Sequence, residues 1–357
     1  MMISKKPSTD FFYRQYFSHM QRFALVGCGA IGKRHVAVLD AEPNAELVSI
    51  CDTDSDKLID LTYKYPYLTG YRNLEDMLAA DDFDILVIAT PHNLHSVMAI
   101  QGLKQGYDVL IEKPMALSTT QCRDILQVAQ EMNQRCWVVK QNRFNKPVLY
   151  TKNILDEGAL GTIRMVKCDV LWNRPQAYYA QSSWRGTVAG ERGALYTQVS
   201  HFIDLLVWWF GDVHEAQGYI QKAGHDIQIE DNGAAQMLFD NDVLGSLTWT
   251  TCVYNQNLEG SITIIGERGT IKIGGKYLNE MEHFDVEGHP LPSNISFDDE
   301  PNSYGKYQGT SSNHPQVYKT LIEHLKNGSE PIVEGVEGIR SIDAIEKIYR
   351  SVDFRNP

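Results

Sequence analysis

No stretch of the 357-residue sequence approaches eighteen consecutive apolar residues, so no transmembrane helix is expected. Cysteine is scarce: the six residues Cys28, Cys51, Cys122, Cys136, Cys168 and Cys252 are scattered, with no pair at metal-ligand spacing. A disulfide scaffold is not expected at this length, and no metal site is read from the sequence. The cysteines look like small hydrophobes in a reduced protein, so the expected location is cytoplasmic. Positive charge does not cluster either. Lys and Arg number 33 against 45 Asp and Glu, a net −12. That balance offers no basic face to a nucleic acid or to an anionic membrane surface. Internal repeats and low-complexity runs are missing. The first 19 residues lack the apolar stretch and small-residue cleavage site of a signal peptide.

What is present is material for a large core, with 43% hydrophobic and 22% charged residues, and length enough for two domains. Residues 1–19 form an extension carrying Phe11, Phe12, Tyr13, Tyr16 and Phe17. It reads either as an amphipathic helix that docks on the body or a partner, or as upstream sequence before a start at Met20. Between residues 23 and 140, near-continuous apolar runs (23–27, 46–51, 85–89, 109–111, 137–140) alternate with helical patterns. Strands apolar on both faces belong to a parallel sheet covered by helices. The spacing predicts an α/β Rossmann domain, a doubly wound parallel sheet, over residues 20–145. Beyond it, helices at 148–157 and 193–210 precede a series of strand patterns joined by hairpin turns at 240–242 and 266–269. This predicts an α+β domain with a large open, mostly antiparallel sheet over 146–357. A Pro-, Ser-, Asn- and Gly-rich loop is expected at 287–313, and two closing helices are expected to pack back on the first domain.

Three segments carry chemistry. Gly27-Cys28-Gly29-Ala30-Ile31-Gly32 follows a strand, opens a helix and is answered by Asp52, 20 residues after Gly32. Gly27 suits the tight turn, and Gly29 lets backbone approach a pyrophosphate. Gly32 allows close helix–strand packing, and the helix N-terminus attracts phosphate. Asp52 accepts from ribose hydroxyls and repels a 2′-phosphate, which favours NAD over NADP; Arg34, nearby, is the residue able to serve such a phosphate. Glu112-Lys113-Pro114 ends the strand at 109–111, at the edge where open α/β sheets bind ligands. Its lysine is either aimed into the crevice or solvated. Thr90-Pro91-His92, ending the previous strand, lines the same crevice, although His92 and His95 also read as ordinary loop and helix residues. In the second domain Thr197, His201 and Asp204 fall at i, i+4 and i+7 of a mostly apolar helix, so they share a face. A cleft-facing histidine opposite a lysine is the pairing that alcohol oxidation needs, and either of Lys113 and His201 can be the base.

GCGAIG, Asp52, TPHNLH, EKP and the Gly-Ala-Leu…His-Phe-Ile-Asp-Leu helix together resemble the Gfo/Idh/MocA family of NAD(P)-dependent oxidoreductases across residues 22–351. The resemblance implies a Rossmann domain followed by a mixed-sheet domain that lines the active site and often makes oligomer contacts, so a homo-oligomer (dimer or tetramer) is expected. It implies NAD held by Gly27, Gly29, Ala30, Ile31, Gly32, Asp52, Thr90, Pro91, His92, Glu112 and Lys113, with Lys113, His201 and Thr197 catalytic. Within the family, Trp172-Asn173-Arg174-Pro175-Gln176-Ala177-Tyr178-Tyr179, Trp184-Arg185-Gly186-Thr187, Gln198, Ser200-His201, the 257–270 segment and His314-Pro315 resemble the UDP-N-acetylglucosaminuronate 3-dehydrogenases. Those enzymes oxidise a sugar C3 hydroxyl on the way to diamino-uronates of bacterial surface polysaccharides. This chain carries Thr197 where that subgroup usually has asparagine and many other members aspartate. The implied substrate residues are Trp172, Arg174, Tyr179, Trp184, Arg185 and Gln198, with Arg192 a further candidate cation. Guanidinium suits diphosphate and carboxylate oxygens, and the aromatics suit a base or sugar face. The alternatives are a dehydrogenase of a free sugar or inositol-type polyol, a non-catalytic NAD-binding regulator, and a glycosidase that oxidises transiently.

Overall fold

A computed structural model describes residues 20–292, 301–303, 308–329 and 334–355. The extension 1–19 and parts of the 287–313 loop lie outside the described residues. The apolar runs of the first half become β1 (Gln21–Val26), β2 (Ala45–Cys51), β3 (Thr69–Tyr71), β4 (Ile85–Ile88), β5 (Asp108–Ile111) and β6 (Cys136–Val138). They pair in parallel in the order 3-2-1-4-5-6, whose reversal between β1 and β4 opens a crevice at the strand C-termini. Both faces are buried because side chains alternate. Phe23, Leu25, Ile85 and Val87 meet Val36 and Leu39 on one side. Ala24, Val26, Leu86 and Ile88 meet Met77, Ala99, Leu103 and Ile125 on the other. The covering helices are α1 (Ala30–Ala41), α2 (Ser55–Lys64), α3 (Leu74–Ala80), α4 (His95–Lys104) and α5 (Thr119–Glu131). Three are capped by the expected residue types, with Asp54, Asn73 and Ser118 each accepting a backbone N–H of the first turn.

The second half holds α6 (Lys146–Asp156), β7 (Ile163–Leu171), the one-turn α7 (Gln176–Tyr179) and α8 (Ser200–Phe210), then β8 (Val213–Gln221) through β9 (Asn232–Phe239), β10 (Leu244–Thr250), β11 (Glu259–Gly266), β12 (Gly269–Gly274) and β13 (Glu280–Val286). A short pair, β14 (Pro301–Ser303) and β15 (Gln308–Ser311), precedes α9 (His314–Asn327), α10 (Gly335–Ser351) and the edge strand β16 (Val352–Arg355). The eight-stranded sheet runs 13-12-11-7-10-9-8-16. It is mixed: β7 pairs in parallel with β10 and β8 with β16, the rest being antiparallel. Val166, Cys168, Leu247, Trp249, Ile262 and Ile264 bury one face against Phe202, Leu205 and Leu206 of α8. Helix α9 packs on α1, and α10 packs on α5, α8 and β8, so the closing helices touch both sheets.

The helix expected over 193–210 is divided. Residues Leu195–Val199 form a π-helical turn before α8 begins at Ser200. Wide turns of this kind frequently sit at functional sites.

Candidate active site

The crevice at the β1/β4 switch continues into a cavity of about 550 Å³ that runs from the glycine turn to the π-helical turn. Its inner wall is made by strand ends. Gly27 follows β1 with φ +98, and a side chain there would strike the Ala89 carbonyl at 2.5 Å. A Cβ on Gly32 would lie 1.8 Å from the Gly27 oxygen, so Gly32 belongs to helix packing and does not line the cavity. A Cβ on Gly29 would meet nothing within 4 Å, which leaves the cavity side of the turn open. Gly29 also N-caps α1 with no side-chain acceptor, so the first-turn N–H groups of Ala30 and Ile31 face the cavity ready for an anion. Asp52 lines the same end. Its Oδ2 accepts the Cys28 N–H at 2.8 Å, and Lys57 Nζ lies 3.3 Å from Oδ1. Glycine turn and acidic residue are therefore locked together, and the set fits a dinucleotide. Arg34 lies outside the cavity and donates to Ser312 Oγ at 2.6 Å, so it does not take the place expected of a 2′-phosphate ligand.

Thr90, Pro91, His92, Glu112 and Lys113 continue the wall. His95 ties two of its segments, with Nε2 2.9 Å from the Thr90 carbonyl and Nδ1 2.7 Å from that of Pro114. Burial, helped by His95, Lys113 and Arg185, holds the His92 imidazole well below its ordinary pKa, so it is neutral. Glu112 sits in a buried cluster in which His35 Nε2 and His314 Nε2 each stand 3.1 Å from Oε1. Burial alone would raise this carboxyl, but hydrogen bonds from His314 and His35 hold it well below its usual range. The ionised carboxylate also accepts the backbone N–H of Lys113 at 3.0 Å, fixing the lysine's own backbone.

Lys113 Nζ donates to the Thr197 carbonyl at 2.8 Å, bridging the inner wall to the π-helical turn. Burial brings its pKa down to about 8, with Arg174 and Lys140 adding to the fall against Glu112 and Glu191. His201 is one turn further on. Burial and then the Lys113 charge push it well below its ordinary value, leaving a neutral ring beside an amine that gives up its proton only near pH 8. Both side chains and Thr197 line the cavity. Asp204 does not share their face. It is buried and receives Arg143 Nε and Nη2 at 2.8 Å each, with Lys140 Nζ 2.9 Å away. Asp204 lies in the same regular helix as His201, and the two cations behind α8 hold its carboxylate away from the cavity.

The outer wall comes from segment 172–198. Arg174, only 3% exposed, donates from Nε to Gln198 Oε1 at 2.9 Å and stacks over Trp172. Gln198 in turn donates to the Tyr178 hydroxyl at 2.9 Å. Arg185 lies 4.1 Å over the Tyr178 ring, and Trp184 meets His92 edge-on at 4.9 Å. Trp172, Arg174, Trp184, Arg185 and Gln198 thus come together. Tyr179 does not: it points back into the sheet, its hydroxyl 3.1 Å from Thr251 Oγ1, and its neighbour Tyr178 takes the cavity position. Arg192 is also turned away, onto Glu346 and the Leu117 carbonyl. His314, noted in the sequence only within the His314-Pro315 resemblance, lines the cavity too, and Arg72, Asn73, Gln141, Gln181 and Ser182 line it without having been read from sequence. So was Glu191 missed. It accepts the Gly186 N–H at 2.7 Å, and burial raises its pKa against the pull of that amide, Arg185, Thr197 and Lys113. No motif spacing marks these residues, which the fold alone brings to the site. Two side-chain clusters, His35–Glu112–His314 and His225–Asp231–Cys252, each bring three possible ligand atoms within 4.8 Å of one another.

Comparison with known proteins agrees with this geometry. Residues 21–140 match the oxidoreductase family with an NAD-binding Rossmann fold, and residues 148–272 match the GFO/IDH/MocA C-terminal domain. The WlbA dehydrogenase of Bordetella pertussis, solved with NADH and UDP-GlcNAcA, is similar at 36% identity and a TM-score of 0.84 over 92% of this chain and 95% of that one. The WlbA dehydrogenase of Chromobacterium violaceum, solved with the same two ligands, is 34% identical with a TM-score of 0.84 over 98% and 96%. D-apiose dehydrogenase of Paraburkholderia graminis is 22% identical, over 92% of this chain and 86% of its own length. With these domains and relatives, the chain belongs to the Gfo/Idh/MocA family and is an NAD-dependent sugar dehydrogenase.

Proposed function

We infer that this enzyme oxidises the C3 hydroxyl of a UDP-linked N-acetylated uronic acid, in the supply of sugars for surface polysaccharide. The observation that carries the reading is the outer wall. Arg174 and Arg185, each stacked on aromatic rings, face Lys113 across one cavity in a protein whose net charge is −12. A substrate with a diphosphate and a carboxylate needs such localised cations, and a neutral polyol does not. The resemblance to dehydrogenases solved with UDP-GlcNAcA supports the same choice.

NAD, when bound, accepts the hydride from the carbon that is oxidised. Its diphosphate would be held by the N–H groups of Ala30 and Ile31, and its ribose hydroxyls by Asp52. Lys113, with a pKa near 8, is partly neutral at physiological pH, and its amine takes the proton from the reacting hydroxyl. The Thr197 carbonyl aims that amine. His201, neutral and too weak a base to compete for the proton, hydrogen-bonds the same oxygen, while the Thr197 side chain orients the ring. Arg174, Arg185 and Gln198 meet the anionic groups; Trp172 and Trp184 pack on a ring face, and Tyr179 braces Tyr178 from behind. Self-association as a dimer or tetramer is supported by the face of the eight-stranded sheet that no other described residues cover, where Leu244 (46% exposed) and Ile265 (41%) flank Met165 in register. The free cysteines support a reducing, cytoplasmic setting.

The reading is tested by following NADH absorbance with enzyme, NAD and UDP-N-acetylglucosaminuronate, with myo-inositol and UDP alone as controls. A parallel run adds a 2-oxoacid acceptor, so that tightly held cofactor does not mask turnover. Turnover is expected with the nucleotide sugar only, with UDP inhibiting and raising Tm. Turnover of myo-inositol with no response to UDP would move the activity to free polyols.

A further inference from the structure

Behind the outer wall, the loop between β8 and β9 folds back on the end of β10. There Asp231 is fully buried, His225 nearly so, and Cys252 is the exposed member of the otherwise buried cysteines. Asp231 is fixed by the loop's own backbone. Its Oδ2 accepts the N–H groups of Gly224 at 2.8 Å and His225 at 2.9 Å, and its Oδ1 accepts Ala223 N–H at 2.8 Å. His225 Nδ1 lies 2.9 Å from Asp231 Oδ2 and 3.6 Å from Cys252 Sγ. In a Cys–His–Asp proton relay the acid and the thiol flank opposite ring nitrogens. Here both approach the same nitrogen, so three ligand atoms of three chemical types converge on one point.

The geometry points to a metal site: we propose that His225 Nδ1, Asp231 Oδ2 and Cys252 Sγ bind one divalent cation of the zinc class, with water as the fourth ligand on the exposed side. Thiolate, imidazole and carboxylate together suit zinc rather than magnesium or calcium. With metal–ligand bonds of about 2.0–2.3 Å, a tetrahedral site sets its ligand atoms roughly 3.3–3.6 Å apart. The sulfur–nitrogen separation already has that value, and the nitrogen–oxygen pair must open by a few tenths of an ångström. Coordination sends the Cys252 thiol proton and the proton on His225 Nδ1 to solvent. The space is kept by Gly224, where a Cβ would stand 2.6 Å from the sulfur and 3.6 Å from Asp231 Oδ2.

The loop that carries two of the ligands also carries the substrate wall. Asp226 N–H donates to Gln176 Oε1 at 3.0 Å, Gln228 N–H to the Gly186 carbonyl at 2.7 Å, and the His225 ring packs 5.0 Å from that of Tyr179. A cation there would stiffen the segment that presents Tyr178, Trp184 and Arg185.

The test is a titration of the full-length, chelator-treated protein with Co²⁺, followed by displacement with Zn²⁺. One equivalent of cobalt is expected to give a thiolate-to-cobalt charge-transfer band that zinc abolishes, with a rise in Tm. Cys252→Ser, at an exposed position, should fold normally and lose the band. His225→Gln should weaken cobalt binding at least ~10-fold. The proposal is overturned if wild type shows no band at equimolar cobalt, if the band survives in Cys252→Ser, or if His225→Gln binds cobalt as tightly as wild type.

Discussion

The two walls of the cavity are built by different means. At the cofactor end the inner wall is chiefly backbone: the Gly27–Ile31 turn, the uncapped N-terminus of α1 and the ends of β4 and β5 offer N–H groups and close approach, with Asp52 locked to the turn. The outer wall is side chain: Arg174, Arg185, Trp172, Trp184, Tyr178 and Gln198 hold one another through stacking and hydrogen bonds. A backbone wall suits a ligand shared by many enzymes, because it depends on fold more than on residue identity. A side-chain wall can be rewritten residue by residue, and in the proposed reading it is what selects the substrate. Lys113 stands where they meet, held by Glu112 on one side and the Thr197 carbonyl on the other.

Breaking the meeting point should cost most. Lys113→Ala is expected to lower kcat/KM by about 10²–10⁴-fold, with NAD affinity measured by fluorescence titration essentially unchanged. Near-normal turnover would remove the lysine from the chemistry. Asp204 joins the walls at a distance from the cavity by neutralising Lys140 and Arg143, all of them buried. Asp204→Asn removes the carboxylate that both buried cations share, leaving Arg143 its 3.4 Å contact with Glu337 and Lys140 its hydrogen bond to Ser341, and should cost about 3–5 kcal/mol in denaturant unfolding. A loss below ~1 kcal/mol would show that solvent reaches the pair. Arg185→Ala should raise KM for the nucleotide sugar about 10–100-fold, the worth of a charge-assisted contact, and leave NAD binding alone. The inner wall inverts that result. Gly29→Ala has room in the protein itself and should change stability by no more than about 0.5 kcal/mol, yet weaken NAD while sparing UDP binding. The smallest effect is in pH. Since Lys113 must be neutral to accept a proton, kcat/KM should rise with pH and level off above about 8. A profile flat from pH 6.5 to 9.5 would assign the proton to another group.

The same contrast sets what was legible in the sequence. The glycine turn, Asp52 and Lys113 were readable because each sits at a fixed offset from an apolar strand, and strand and offset are local features. The expectation for Asp204 failed for a non-local reason. Its partners Lys140 and Arg143 lie more than sixty residues away, and the π-helical turn at Leu195–Val199 alters only the spacing of Thr197 from the two residues that follow in α8. Tyr178 and Tyr179 are indistinguishable by composition, and only the one-turn helix Gln176–Tyr179 decides which faces inward. Strand β3 has three residues and no buried face to give it a pattern. The mixed character of the large sheet was implied by the family resemblance alone, because the parallel pairing of β7 with β10 joins segments separated by two other strands and leaves no local pattern. Glu191 and the His35–His314 clamp on Glu112 likewise come together only in the folded chain.

The central claim, that the walls together present a sugar C3–H to NAD, is tested most directly by isotope transfer. UDP-N-acetylglucosaminuronate deuterated at C3 is incubated with enzyme and NAD, and the reduced cofactor is examined by mass spectrometry. One deuterium per NADH formed is the predicted result, and reduced cofactor formed without deuterium would contradict the account.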